Sequence, residues 1–130
     1  MYEAVTNGIR VRVEPQFLED QSTPEDGYFF WAYKVEIANE GDEPVQLKSR
    51  LWRITDAAGH TEEVRGPGVV GQTPRIAPGD SFTYTSGCPL RTPSGIMVGS
   101  YQMTRSDGEL FDVAIPAFSL DSPFTLRRVN

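Results

Sequence analysis

Apolar and polar residues alternate along this chain with the two-residue period of β-strands, in short stretches separated by turn residues. Ile9, Val11 and Val13 alternate with Arg10 and Arg12, and the pattern stops near Pro15. The clearest strand is predicted over residues 28–38, where Phe29, Trp31, Tyr33, Val35 and Ile37 share a face that should be core, and Lys34 and Glu36 lie on the other. Asn39-Glu40-Gly41-Asp42-Glu43-Pro44 makes a turn into a partner strand over 45–55 that carries Leu47, Leu51, Trp52 and Ile54. Its apolar parity changes between Leu51 and Trp52, as a β-bulge or a strand covered on both faces would require. Trp31 and Trp52 then belong to the core, one in each of two neighbouring strands.

Further strands are predicted over 60–65, 81–85, 95–105 and 109–115, with Phe82 and Tyr84 pointing inward and Asp107-Gly108 making a tight hairpin turn. The acidic stretch 19–27 reads as a loop. Twelve glycines and ten prolines punctuate the chain throughout, and no helical pattern intervenes between the strands. The expected fold is therefore all-β, a sandwich of about seven to eight antiparallel strands.

Composition narrows the class. A length of 130 residues fits one domain spanning 1–130, and 38% hydrophobic with 23% charged residues is a globular balance. Eighteen acids against twelve bases give a net charge of −6, which argues against nucleic acid and anionic membrane surfaces as partners. The first seven residues lack the basic start and apolar stretch of a secretory signal, and the longest aromatic-apolar run, 28–33, is too short to span a bilayer. Cys88 is the only cysteine, so no internal disulfide is expected and a reducing compartment, the cytoplasm, is the expected location.

The candidate chemistry centres on Gly66-Pro67-Gly68-Val69-Val70-Gly71, which fits the G-x-G-x-x-G pattern of a dinucleotide-binding turn. That turn needs a helix opening at the glycines, and Pro74, Pro78 and Gly79 stand where the helix would run. The glycines therefore shape a loop. It could cradle an anion with the amides of Gly66, Gly68 and Gly71 and the charges of Arg65 and Arg75. It could instead be a connection whose positive φ angles suit glycine, or a protein-contact surface with Val69 and Val70 at an apolar tip.

Other candidates are weaker. His60 is the only histidine and lies beside a turn, so Ser86 or Cys88 would need it brought across the fold to act as a nucleophile. Glu19-Asp20 and Glu25-Asp26 read as solvated loop charge, and one His with one Cys is a poor ligand supply for a transition metal. Arg50 and Arg53 flank Trp52 and read as the solvated side of a strand or an exposed cationic patch, and Arg127-Arg128 as a mobile tail. No cofactor or metal site is expected.

The blocks Val64-Arg65-Gly66-Pro67-Gly68-Val69-Val70-Gly71, Pro74, Pro78-Gly79, Tyr84-Thr85-Ser86-Gly87 and Gly95-Ile96-Met97-Val98-Gly99-Ser100-Tyr101 follow, in order, the spacing of the ApaG family. Ser49-Arg50-Leu51-Trp52-Arg53-Ile54 and Ile115-Pro116-Ala117-Phe118-Ser119-Leu120 extend the resemblance over nearly the whole chain. It implies a fibronectin type III-like or immunoglobulin-like sandwich and no established enzymatic activity. It also implies associations, by gene neighbourhood with a diadenosine tetraphosphate hydrolase and by phenotype with cobalt resistance and magnesium efflux, while similar eukaryotic domains are thought to recruit partners. Cys88-Pro89 departs from the family pattern, so a thiol mechanism is not implied. The expected function is a non-catalytic protein-interaction module using the loop 66–71 with the loop 86–95, or an exposed sheet edge, which could also pair two copies into a homodimer. The alternative is a binder of pyrophosphate-bearing nucleotides, such as diadenosine polyphosphates, at the glycine loop.

Overall fold

The alternating stretches assemble into two antiparallel sheets packed face to face, in a computed structural model that describes residues 1–124. The strands are β1 (Tyr2–Thr6), β2 (Ile9–Phe17), β3 (Phe29–Asn39), β4 (Val45–Asp56), β5 (Thr61–Pro67), β6 (Arg75–Ile76), β7 (Ser81–Leu90), β8 (Gly95–Arg105) and β9 (Leu110–Leu120). One sheet has the order β1-β2-β3-β7 and the other β5-β4-β8-β9, with the short β6 also paired to β4. This is the expected sandwich. The stretch 19–27 holds two single 3₁₀ turns, Glu19–Gln21 and Pro24–Asp26.

The core is drawn from alternate positions of each strand, as the two-residue period requires. Ile9, Val11 and Val13 of β2, Trp31, Val35 and Ile37 of β3, and Met97, Tyr101 and Met103 of β8 are all buried. At its centre Trp52 meets Tyr33 at 5.4 Å and Phe118 at 5.9 Å, both edge to face, the arrangement that ring quadrupoles favour. Gly99 lies under Trp52, where an added Cβ would stand 3.1 Å from the indole and 2.2 Å from the Leu51 carbonyl. Only glycine lets β8 approach β4 this closely.

Four expectations are adjusted by the structure. β1 is an additional edge strand, joined to β2 through Asn7 and Gly8, both at positive φ. β2 does not stop at Pro15 but pairs with β3 as far as Phe17. The reason is that β1 covers β2 only up to Val13, so Pro15 sits where the outer side of β2 has no partner to miss its amide. β9 likewise extends past Pro116, opposite a register shift between Met97 and Gly99. The bulge expected in β4 is present, but at Lys48, between Leu47 and Ser49, rather than at Leu51 and Trp52.

The sheets are stitched together along one side. The Tyr2 hydroxyl is hydrogen-bonded to Ser119, and the Ala114 amide donates to the Thr6 hydroxyl, tying β1 to β9. The opposite side, between β7 and the β5 end of the second sheet, opens into a cleft. No helix among the described residues is long and apolar enough to cross a membrane. Arg127-Arg128 lie outside the described residues.

Candidate functional site

The bulge at Lys48 sets the chemistry of the open side. Strict alternation from Leu47 would send Ser49 and Leu51 inward; one extra residue instead places Arg50, Trp52 and Ile54 on the inner face. Arg50 thus enters a cleft of about 260 Å³ walled by Tyr33, Trp52, Val69, Tyr84 and Ser86. Its cross-strand partner is Gly66. An added Cβ on Gly66 would lie 3.0 Å from both terminal nitrogens of Arg50 and 3.1 Å from Cζ, so the guanidinium lies across the space a side chain would fill. Its Nη1 donates to the carbonyls of Pro67 at 3.1 Å and Gly68 at 2.8 Å.

The glycine loop is therefore arranged around a cation from another strand. Gly66 is part of β5, paired with β4, and the Gly68 amide donates to the Lys48 carbonyl at 2.9 Å. Val69 and Gln72 exchange backbone hydrogen bonds, which closes a turn containing Val70 at φ 43° and Gly71 at φ 80°. Gly68, at φ 61°, is forced to be glycine by space as well, because a Cβ there would stand 2.2 Å from the Gln72 carbonyl oxygen. Val69 is buried at 1% exposure and anchors the loop to the core, whereas Val70 is 52% exposed. The expected apolar tip is a single valine.

Arg65 and Arg75 do not converge on this loop. Arg65 points to solvent and reaches Glu63 at 3.8 Å, and Arg75 sits on β6 beside Gln46, with Lys48 and Arg105 around a separate depression. Arg53, the other arginine beside Trp52, is exposed and paired with Glu63 at 2.7 Å. Arg50, expected on the solvated side of its strand or in an exposed cationic patch, instead lines the cleft. The signal was its shared parity with Trp52 and Ile54, which becomes meaningful once the bulge is put at Lys48.

Three phenols line or back the cleft. Tyr84 and Tyr101 share a hydrogen bond between their hydroxyls. Burial pushes both well above the ordinary tyrosine range, and the positive charge of Arg50 pulls back against that rise. Burial also raises Tyr33, with a hydrogen bond from Ser86 and the Arg50 charge opposing it. At neutral pH these groups are uncharged hydroxyls facing one guanidinium.

The hydrolytic candidates are not assembled. His60 has a side chain 86% exposed and sits 3.5 Å from Asp56 within its own turn. Cys88 is buried, and burial pushes its thiol up to about 11, far from the thiolate that nucleophilic attack needs. Residues 86–90, expected within a loop, belong to β7, where Gly87 makes room for the Phe30 ring. Among the described residues no three His, Cys, Asp or Glu side chains are grouped to hold a metal ion.

The ApaG domain family matches residues 19–105, well over half of the chain. Proteins named ApaG from Brucella anthropi and Mesorhizobium japonicum are each 62% identical over 130 residues, covering all of both chains. A crystal structure of a Bordetella pertussis protein named ApaA superposes with a TM-score of 0.85 at 45% identity, covering 94% of this chain and 96% of that one. The C-terminal domain of wzt, at 13% identity and a TM-score of 0.56 over 92% of this chain and 76% of that one, shares the fold alone. Sequence blocks, sheet order and full-length similarity agree, and the chain belongs to the ApaG family.

Proposed function

We propose that this chain is a non-catalytic recognition module, acting in the cytoplasm, that takes an extended segment of a protein partner along the free edge of β7. The observation that carries this reading is the composition of that edge. β7 ends its sheet, so one side of its ten residues has no strand partner among the described residues, and none of the ten is charged. Sheet edges are ordinarily guarded by charge or proline, because unpaired amides and carbonyls invite another strand. The other sheet-end strands carry such guards, with Glu3 in β1, Glu62, Glu63 and Arg65 in β5, and Asp112 in β9. In β7 the first proline is Pro89, one residue from the end.

Strand addition supplies affinity through main-chain hydrogen bonds and specificity through neighbouring pockets. The exposed Val70 and the Arg50 cleft lie beside β7 and provide such neighbours. A pyrophosphate reading draws less support, since the loop turns the Pro67 and Gly68 carbonyls toward Arg50 and the Gly68 amide is spent on Lys48.

The test places a charge on the edge. Wild-type protein and a Thr85→Lys, Val70→Asp double variant are compared in affinity capture and by light scattering. The expected result is a partner retained by wild type and lost by the variant. Self-association of wild type that the variant breaks would make the partner a second copy. Equal behaviour of the two proteins in both assays would overturn the proposal.

A further inference from the structure

Among the described residues four arginines are partly buried: Arg10, Arg12, Arg50 and Arg105. Three of them are neutralised within the chain, by Glu40 at 3.0 Å, Glu3 at 2.8 Å and Glu109 at 3.3 Å. Arg50 has no carboxylate within ion-pair distance among the described residues. Its Nη1 is bonded to two carbonyls, and its Nη2 and Nε have no acceptor there. Neither of those two atoms is fully buried, so in the free protein they are open to water in the cleft, and an acceptor that enters can replace that water.

We infer that the Arg50 cleft is a carboxylate-binding site, in which the Nη2 and Nε side of the guanidinium takes the two oxygens of a single carboxylate. The fit is one of shape and charge. That side of the guanidinium is a planar two-donor fork, which matches a planar two-oxygen acceptor. Gly66 beneath and the two carbonyl bonds at Nη1 hold the fork in place before any ligand arrives. Tyr33, Trp52, Tyr84 and Ser86 line the same space.

One positive charge balances one negative charge. A dianionic phosphate or pyrophosphate would bring uncompensated charge into a half-enclosed cleft, beside two backbone carbonyls, in a protein of net charge −6. The cleft of about 260 Å³ is roughly nine times the volume of a liquid water molecule, enough for a carboxylate on a short or single-ring body. The carboxylate could belong to a free small acid or to a peptide, as an acidic side chain or a C-terminus. The inference rests on the recognition reading only for the peptide source.

The test is a titration of isotope-labelled, full-length protein with benzoate, inorganic pyrophosphate, and a pair of short peptides differing only in a free or amidated C-terminus. The Arg50 Nε–H resonance and the amides of Val70 and Gly71 are followed. Saturable shifts with benzoate or with the free-carboxyl peptide support the site and identify its source, and pyrophosphate should bind more weakly. Arg50→Lys keeps the charge but loses the fork, and is expected to weaken binding about tenfold or more. If that variant does not fold, the wild-type Nε–H titration still decides. Absence of saturable shifts with every carboxylate, equal or tighter pyrophosphate binding, or an Arg50→Lys affinity equal to wild type would each overturn the inference. Partner capture that survives in a folded Arg50→Lys protein would leave the edge-recognition proposal standing while removing this one. Benzoate binding with no captured partner would do the reverse.

Discussion

Raising the pH should unfold this protein through groups that have no charge in the native state. Tyr84 and Tyr101 are buried, bonded to each other and held well above their ordinary value of 10, and the Cys88 thiol is pushed up to about 11 from 9.0. Below about pH 8 both folded and unfolded chains hold all three protons, and the shifts contribute nothing to stability. Above that, the unfolded chain releases protons that the native protein keeps, so the unfolded state binds fewer protons and stability falls as pH rises. At about pH 11 each of the two phenols costs on the order of 1 kcal/mol and the thiol about 2 kcal/mol, together several kcal/mol. That is comparable to the whole stability of a small domain. Urea unfolding followed by circular dichroism at about pH 8 and about pH 11 measures the difference, and Tyr101→Phe should make the decline shallower. An unfolding midpoint that is the same at both pH values, with an unchanged slope, would refute the reasoning.

Other outcomes follow from single contacts. Gly68→Ala should destabilise by about 3 kcal/mol, since it combines a positive φ with a Cβ 2.2 Å from a backbone oxygen, whereas Gly71→Ala, with open space around it, should cost about 1 kcal/mol; chemical denaturation separates the two. Gly66→Ala meets only the end of the Arg50 side chain, so it should leave the denaturation midpoint nearly unchanged while shifting the Arg50 Nε–H resonance. Asn39→Asp should cost about 3 kcal/mol in thermal or chemical unfolding, because the buried Asn39 amide donates to the Glu43 and Ile76 carbonyls and a carboxylate would face both as like-signed acceptors. Cys88 should react with a thiol reagent at neutral pH only as fast as the protein opens, as kinetics at increasing urea concentration would show.

Much of the fold was legible because a strand writes its two faces into alternate residues. Phe29, Trp31, Tyr33, Val35 and Ile37 were readable as one buried face, and the exposed position of His60 followed from its turn. β1 was less legible, since only alternate positions along it are partly covered and its apolar signal is weak. The residues 86–90 looked like loop because Gly87 and Pro89 disfavour strands. They are tolerated in β7 because Gly87 accommodates Phe30 and Pro89 lies near the end of an edge.

The sequence by itself determined the class of fold, the core faces and the family, since each of these depends on local period or on ordered blocks of residues. The tertiary structure alone decided the candidate site. Whether Arg50 faces solvent or core depends on where a single extra residue is absorbed in β4, and that position is set by pairing with β8, a strand some fifty residues away at the bulge. Shifting the bulge from Leu51 and Trp52 to Lys48 turns one arginine inward. The glycine loop, which in the sequence resembles a cradle for phosphate, is in the fold the seat of that arginine.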